Sequence, residues 1–169
     1  RLFCADELQT LIPGRRIEQV NHTLTASRGT VRGLHFQHPP HAETKFVHCL
    51  RGEVFDVAVD LRRGSPTFLR WHAEVLSAAN HKTFVIPEGF AHGFQALADD
   101  CEMLYFHTAA YSSEAEGGIN AQDPRLARIC EAVIADTSSD RTLDDWADRS
   151  GISRRTLTRG LCPRPDGPS

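Results

Sequence analysis

No stretch of this 169-residue chain stays apolar for the ~18 residues that a membrane-spanning helix requires, so no membrane association through a helix is expected. An excess of one charge is also missing. Lys and Arg total 19 against 22 Asp and Glu, a formal net charge of −3. That balance argues against nucleic acid or an anionic membrane as the main partner. Cysteines are few and scattered: Cys4, Cys49, Cys101, Cys130 and Cys162 contain no Cys-x-x-Cys pair. Neither a disulfide framework nor a thiolate zinc site is expected, and reduced thiols in a cytoplasm are. The chain opens at Arg1 with neither a methionine nor a charged-then-apolar leader. The expectation is that no signal peptide is present and that the true start is missing. What remains is an ordinary globular composition, 40% hydrophobic and 24% charged, enough for one domain with or without an appendage.

From about Ile17 to about Tyr111 the chain reads as strands. Phe46–Leu50 is bounded by Arg51-Gly52, and Val54–Leu61 by Arg63-Gly64-Ser65-Pro66. Thr83–Ile86 ends at Pro87-Glu88-Gly89, and Cys101–Thr108 closes the series. Short apolar or alternating runs between Gly, Pro, Asn and Asp predict an antiparallel barrel or sandwich. After Asp123-Pro124 the spacing becomes helical, with Leu126, Ile129, Cys130 and Val133 on one face. Leu143–Ala147 predicts a second helix capped by Asp140 or Thr142, and Ser153 caps a third through Leu157. The expected organisation is a β domain over 1–123, a helical appendage over 124–162 and a disordered tail over 163–169.

The chemistry-bearing residues begin with His35, in the strand-like run Thr30–Gln37. With Lys45 and Tyr105 it supplies a base, a cation and an acid. Those groups suffice to remove and replace a proton next to a carbonyl. Each also has a plainer reading: a structural histidine, a solvated lysine, a packed tyrosine. Pro87-Glu88-Gly89-Phe90-Ala91-His92-Gly93 has the spacing Pro-x-Gly-x-x-His. Gly89 and Gly93 would permit a tight turn that points His92 inward. This spacing resembles the second motif of cupins.

Four segments in order carry a wider resemblance: Arg32–Gln37, Gly52–Asp60, Ser65–Phe68 and Ile86–Phe94. Over roughly Gln19 to Leu126 the chain resembles the dTDP-4-dehydrorhamnose 3,5-epimerase family. The resemblance implies a mostly β fold, a cupin double-stranded β-helix or jelly-roll barrel, here with the short α-helical C-terminal appendage. It implies a homodimer and metal-independent chemistry, and no cofactor is expected. Its substrate would be a dTDP-4-keto-6-deoxyhexose, epimerised at C3 and/or C5 in rhamnose-type deoxysugar biosynthesis. His35 matches the family's base, Lys45 the cation that holds the developing oxyanion, and Tyr105 the acid on the opposite face. His92 matches a pocket position, and Asp56 matches a supporting one. Gln19, Asn21, Arg32, Tyr111 and Glu116 match positions around nucleotide and sugar. Arg32 is the natural diphosphate partner, because its planar fork binds phosphate oxygens in pairs.

The family pattern breaks twice. An earlier Arg-Gly-x-Phe segment of the nucleotide site is not in this sequence. A later aspartate that orients the base histidine cannot be matched to Asp136 or Asp140. Instead, Arg141–Ala147 and Gly151–Leu157 resemble the start of an AraC-type helix-turn-helix, with Ser153–Thr156 opening the recognition helix. Residues Pro124 to Ser169 hold eight Arg against seven Asp and Glu, so DNA binding is not expected. The rival reading is a non-catalytic sugar- or nucleotide-sensing cupin of a transcription regulator, whose pocket lacks the three-residue arrangement. A metal cupin using His35, His38, His41, His48, His92 and Glu43 is a further alternative, although its usual His-x-His pair is missing.

Overall fold

The computed structural model describes residues 4–118. A short helix, α1 (Ala5–Leu8), precedes the strands β1 (Gln19–Thr25), β2 (Val31–Gln37), β3 (Lys45–Arg51), β4 (Glu53–Asp60), β5 (Trp71–Ser77), β6 (Thr83–Ile86), β7 (Phe90–Ala96), β8 (Cys101–His107) and β9 (Glu116–Gly118). They form two antiparallel sheets, ordered β1-β8-β3-β6 and β5-β4-β7-β2-β9. This is the expected double-sheet jelly roll. The helical appendage and tail, and with them the AraC-like residues, Asp136 and Asp140, lie outside the described residues.

Side chains on a strand alternate between faces, so every second residue shares an environment. On β8, Cys101, Met103, Tyr105 and His107 are buried while the residues between them are half-buried. On β3, Lys45, Val47 and Cys49 share one face, and in the pairing with β8 they stand opposite His107, Tyr105 and Met103. Along both strands, side chains therefore run from apolar at one end to polar at the other. The apolar end closes with Cys49, Val54, Leu76, Ala96, Cys101 and Met103, each no more than 1% exposed. This apolar packing fixes the frame from which the polar end is presented. Cys49 and Cys101 are unpaired thiols within it, and burial pushes the Cys49 thiol up.

β4 is buried on both faces, which explains its nearly continuous apolar run. Val54 and Ala58 join the cluster between the sheets, while Phe55, Val57 and Val59 pack with Leu69 and Trp71 in a second cluster. The segment after β4 is tied down at Asp60, which is 1% exposed. Arg62 forks onto both carboxylate oxygens at 2.9 and 2.8 Å, and the Ser65 and Thr67 hydroxyls donate at 2.7 and 2.6 Å. Burial would raise this carboxyl; these donors outweigh it and hold the group far below the usual carboxylate range. The Ser65-Pro66-Thr67 motif is thus a structural knot in this chain.

The strands expected at Phe46–Leu50, Val54–Leu61, Thr83–Ile86 and Cys101–Thr108 are present within two residues of their observed ends. One expectation is corrected. Gly93 lies inside β7, not in a turn. A Cβ there would stand 2.6 Å from the Arg32 carbonyl oxygen and 2.9 Å from Gly33 Cα. Gly33, at φ +129, would meet Gly93 Cα at 2.5 Å in the same way. The two glycines let the backbones of β2 and β7 touch, beside a break in their register between Arg32 and His35.

Candidate active site

The polar end of the interior opens into a cavity of about 320 Å³, lined by Asn21, Arg32, His35, Lys45, His92 and Tyr105 among others. An adjoining hollow of about 110 Å³ shares Asn21, His35 and Lys45 and adds Gln19, Tyr111 and Glu116. The residues singled out in the sequence thus line one continuous region, with Asp56 behind it. They arrive from different strands: β1 brings Gln19 and Asn21, β2 brings Arg32 and His35, and β3 brings Lys45. β7 brings His92 and β8 brings Tyr105.

His35 stands opposite His92 in the β2–β7 pairing, and its side chain is 57% exposed. Its Nδ1 lies 3.1 Å from Glu116 Oε1. Tyr111 donates to the other Glu116 oxygen at 2.7 Å, and the Tyr111 amide donates to Gln19 Oε1 at 2.9 Å. The Tyr111 and His35 hydrogen bonds hold the Glu116 carboxyl below its ordinary value. An ionised carboxylate can only accept, so the contact selects the tautomer with the proton on Nδ1, in which Nε2 carries the lone pair. The sequence offered no carboxylate to orient His35; in the structure Glu116, matched in the sequence to a nucleotide and sugar position, is the carboxylate within hydrogen-bond distance of its Nδ1. Only the return of β9 alongside β2 brings it there.

Behind the cavity, His92 Nε2 meets Asp56 Oδ1 at 2.8 Å. Asp56 is fully buried and its Oδ2 has no partner among the described residues. Burial pushes this carboxyl up, and the His92 charge and hydrogen bond oppose it. Tyr105 is 9% exposed, and its ring stands edge-on to His92 at 6.3 Å and stacks with His107 at 6.1 Å. Burial raises the phenol well above its ordinary value, so it stays protonated throughout the neutral range. Arg32 is exposed, and its guanidinium donates to the Leu24 carbonyl at 3.3 Å.

A second group was not recognised as a unit in the sequence. Glu43 bridges Lys45 Nζ at 3.1 Å and His107 Nδ1 at 2.7 Å. Burial would raise the Glu43 carboxyl, but the hydrogen bond from His107 and the charge of Lys45 leave it below its usual value. The alternating face of β8 was the available signal, since His107 stands two residues after Tyr105. The histidines of the metal alternative disperse. His35 turns to Glu116, His92 to Asp56, and His48 to the Lys82 carbonyl. Among the described residues no group of three or more His, Cys, Asp or Glu gathers to hold a metal ion. None of the described helices is long and apolar enough to cross a membrane.

Residues 1–148 match the sequence pattern of the dTDP-4-dehydrorhamnose 3,5-epimerases. The chain belongs to this family. It is 50% identical over 115 residues to the dTDP-4-dehydrorhamnose 3,5-epimerase of Shigella flexneri, covering 67% of this chain and 63% of that protein. Among solved structures, the dTDP-6-deoxy-D-glucose-3,5-epimerase of Legionella pneumophila, in complex with dTDP-4-keto-L-rhamnose, is similar at a TM-score of 0.67. It shares 43% identity, over 74% of this chain and 66% of that one. A 3′-monoepimerase from Streptomyces bikiniensis, in complex with dTDP-quinovose, is similar at a TM-score of 0.68 and 27% identity. That match covers 94% of this chain and 83% of that one. The chain spans 54% to 63% of the length of the first curated epimerases it matches.

Proposed function

We propose that this epimerase-family chain inverts C3, C5 or both in a dTDP-4-keto-6-deoxyhexose, in rhamnose-type deoxysugar biosynthesis. One observation carries the reading: His35, Lys45 and Tyr105 line a single cavity with Arg32. The regulator reading called for a pocket without that trio.

A proton next to a ketone is removed only if the enolate is stabilised as it forms. His35 takes the proton on Nε2, while Glu116 holds Nδ1–H and stabilises the resulting imidazolium. Lys45 meets the negative charge that builds on the ketone oxygen. Its side chain is only 12% exposed, so its charge acts with less screening than on an open surface. Tyr105 returns a proton to the opposite face, and inversion follows. Burial makes this phenol a weaker acid than a free one, but an enolate carbon is a far stronger base than a phenolate. His92, with Asp56 behind it, walls the pocket. Arg32, exposed and held by one long hydrogen bond to the Leu24 carbonyl, pairs with the diphosphate through its remaining donors.

The dTDP part of the substrate is supported by the ligands of the similar Legionella and Streptomyces proteins. The cavity itself, near the lower end of the ~300–1,000 Å³ usual for small-molecule sites, suits the sugar. We place the chain in a cytoplasmic homodimer. Val20 and Leu24 are 54% and 53% exposed on the outer face of β1, an edge strand, and apolar residues on such an edge favour a partner. Sedimentation at micromolar concentration should give twice the chain mass; a monomer throughout would reject the dimer. The activity is tested by supplying dTDP-4-keto-6-deoxyglucose and following product stereochemistry by NMR couplings. Formation of a C3- or C5-inverted sugar supports the reading, and unchanged substrate at high enzyme concentration overturns it.

A further inference from the structure

The mechanism above uses Lys45 but leaves unexplained why an acidic side chain, Glu43, is buried directly against it. Its side chain is 6% exposed, and a carboxylate is costly to bury without compensation. Here both oxygens are engaged: Oε1 with Lys45 Nζ at 3.1 Å and Oε2 with His107 Nδ1 at 2.7 Å. His107 is itself 9% exposed and stands opposite Lys45 in the β3–β8 pairing. The three residues close a loop: strand pairing fixes His107 beside Lys45, His107 fixes the Glu43 carboxylate, and the carboxylate fixes the ammonium. A free lysine side chain has four rotatable carbons and no preferred end point. This one has a fixed end point at the junction of the two hollows, both of which it lines.

We infer that Glu43 is the positioning residue for Lys45, and that His107 locks Glu43 in place, so that the ammonium faces the developing oxyanion. The inference rests on the proposed role of Lys45. Placement of a charge matters because a misplacement of about 1 Å can cost ~10²-fold in rate. Glu43 borders the smaller hollow beside Gln19, Tyr111 and Glu116, but both of its oxygens are already taken by Lys45 and His107, so its effect belongs on the rate of proton removal more than on dTDP affinity. His107 Nδ1 must carry the proton that Glu43 accepts. Its Nε2 has no partner among the described residues, so the contact to Glu43 is the one that fixes the ring.

The test uses the 169-residue chain, dTDP-4-keto-6-deoxyglucose in D₂O as the exchange probe, and dTDP alone as the binding probe. Glu43→Ala should slow deuterium incorporation by roughly 10- to 100-fold. Its dTDP affinity should stay within about two-fold, the spread of independent sites. Glu43→Gln keeps an acceptor oxygen for Lys45 and should recover part of the rate; it also serves if Glu43→Ala fails to fold. The decisive arm repeats both substitutions in a Lys45→Ala background, with incubations long enough to measure residual exchange. If Glu43 acts through Lys45, its substitution there should change the rate by no more than about two-fold. An undiminished effect in that background overturns the inference while leaving the epimerase reading intact. Absence of exchange in the unsubstituted chain removes both. Independently of activity, ¹⁵N NMR of the imidazoles should find His107 protonated at Nδ1; a neutral ring protonated only at Nε2 contradicts the lock.

Discussion

Replacing Gly93 with alanine should separate the two strands that carry the site. Gly93 stands in β7 with no left-handed backbone to accommodate, so the cost of a methyl group there is one of space. The new Cβ would stand 2.6 Å from the Arg32 carbonyl oxygen, about 0.8 Å short of the 3.4 Å at which ordinary contact begins. It would also stand 2.9 Å from Gly33 Cα and 3.0 Å from the Leu34 side chain. Two of these neighbours are backbone atoms of β2, which cannot swing away as a side-chain tip could. β2 must retreat by several tenths of an ångström, and His35 and Arg32 retreat with it. Overpacking of this kind costs about 1–3 kcal/mol. For a chain of this size that is roughly a 2–12 °C fall in Tm. The displacement of His35 from its position opposite His92 should lower proton exchange by up to ~10²-fold. Gly14→Ala is the control. Its Cβ meets nothing within 4 Å, but φ is +70, so backbone strain should cost about 1–2 kcal/mol with exchange unchanged. Calorimetry and deuterium exchange read the two effects separately. A Gly93→Ala chain that melts and exchanges like the parent would refute the claim that close backbone approach positions the base.

Other substitutions probe the remaining parts. Arg32→Ala should weaken dTDP binding by about 1.5–3 kcal/mol, the scale of charge-assisted hydrogen bonds, and equal affinities by calorimetry would place the nucleotide elsewhere. Tyr105→Phe removes the acid and keeps the ring, so exchange should persist while the inverted product falls ~10²–10⁴-fold. Equal loss of both would make Tyr105 part of proton removal instead. Asp60→Ala should cost about 3 kcal/mol, because it strips a buried carboxylate from Arg62, Ser65 and Thr67. The Asp60 carboxyl is depressed in the folded state, so its contribution is complete above the ordinary carboxylate range. It fades as pH falls below that range toward the folded value. Denaturant titrations from pH 6 to pH 3 should therefore show the stability gap between parent and Asp60→Asn narrowing with acid, and a constant gap would contradict the assignment.

Much of the fold was legible because buried strands announce themselves. β4 is apolar on both faces, and β8 alternates strictly. β1 was not resolved as a separate strand, for a physical reason. Its inward residues Gln19, Asn21 and Thr23 face the polar mouth, and its apolar Val20 and Leu24 face outward, so the usual alternation is inverted. Gly93 was read as a turn residue, since a glycine after Pro-x-Gly looks the same in sequence whether it bends a chain or admits a neighbouring backbone. The candidate residues His35, Lys45 and Tyr105 were picked out through family motifs, and the structure brings them to one cavity. The Glu116–His35 and Glu43–His107 contacts join residues 81 and 64 positions apart, and only strand pairing reveals them.

The central claim is that His35 removes a proton next to the ketone of a dTDP-sugar. It is tested most directly by incubating dTDP-4-keto-6-deoxyglucose in D₂O with the parent chain and with His35→Asn, and following the carbon-bound protons by NMR. The parent should incorporate deuterium at one or both carbons beside the ketone. His35→Asn should remain folded by calorimetry and incorporate none above the uncatalysed rate. Exchange at the parent rate in the folded His35→Asn chain would contradict the assignment of the base.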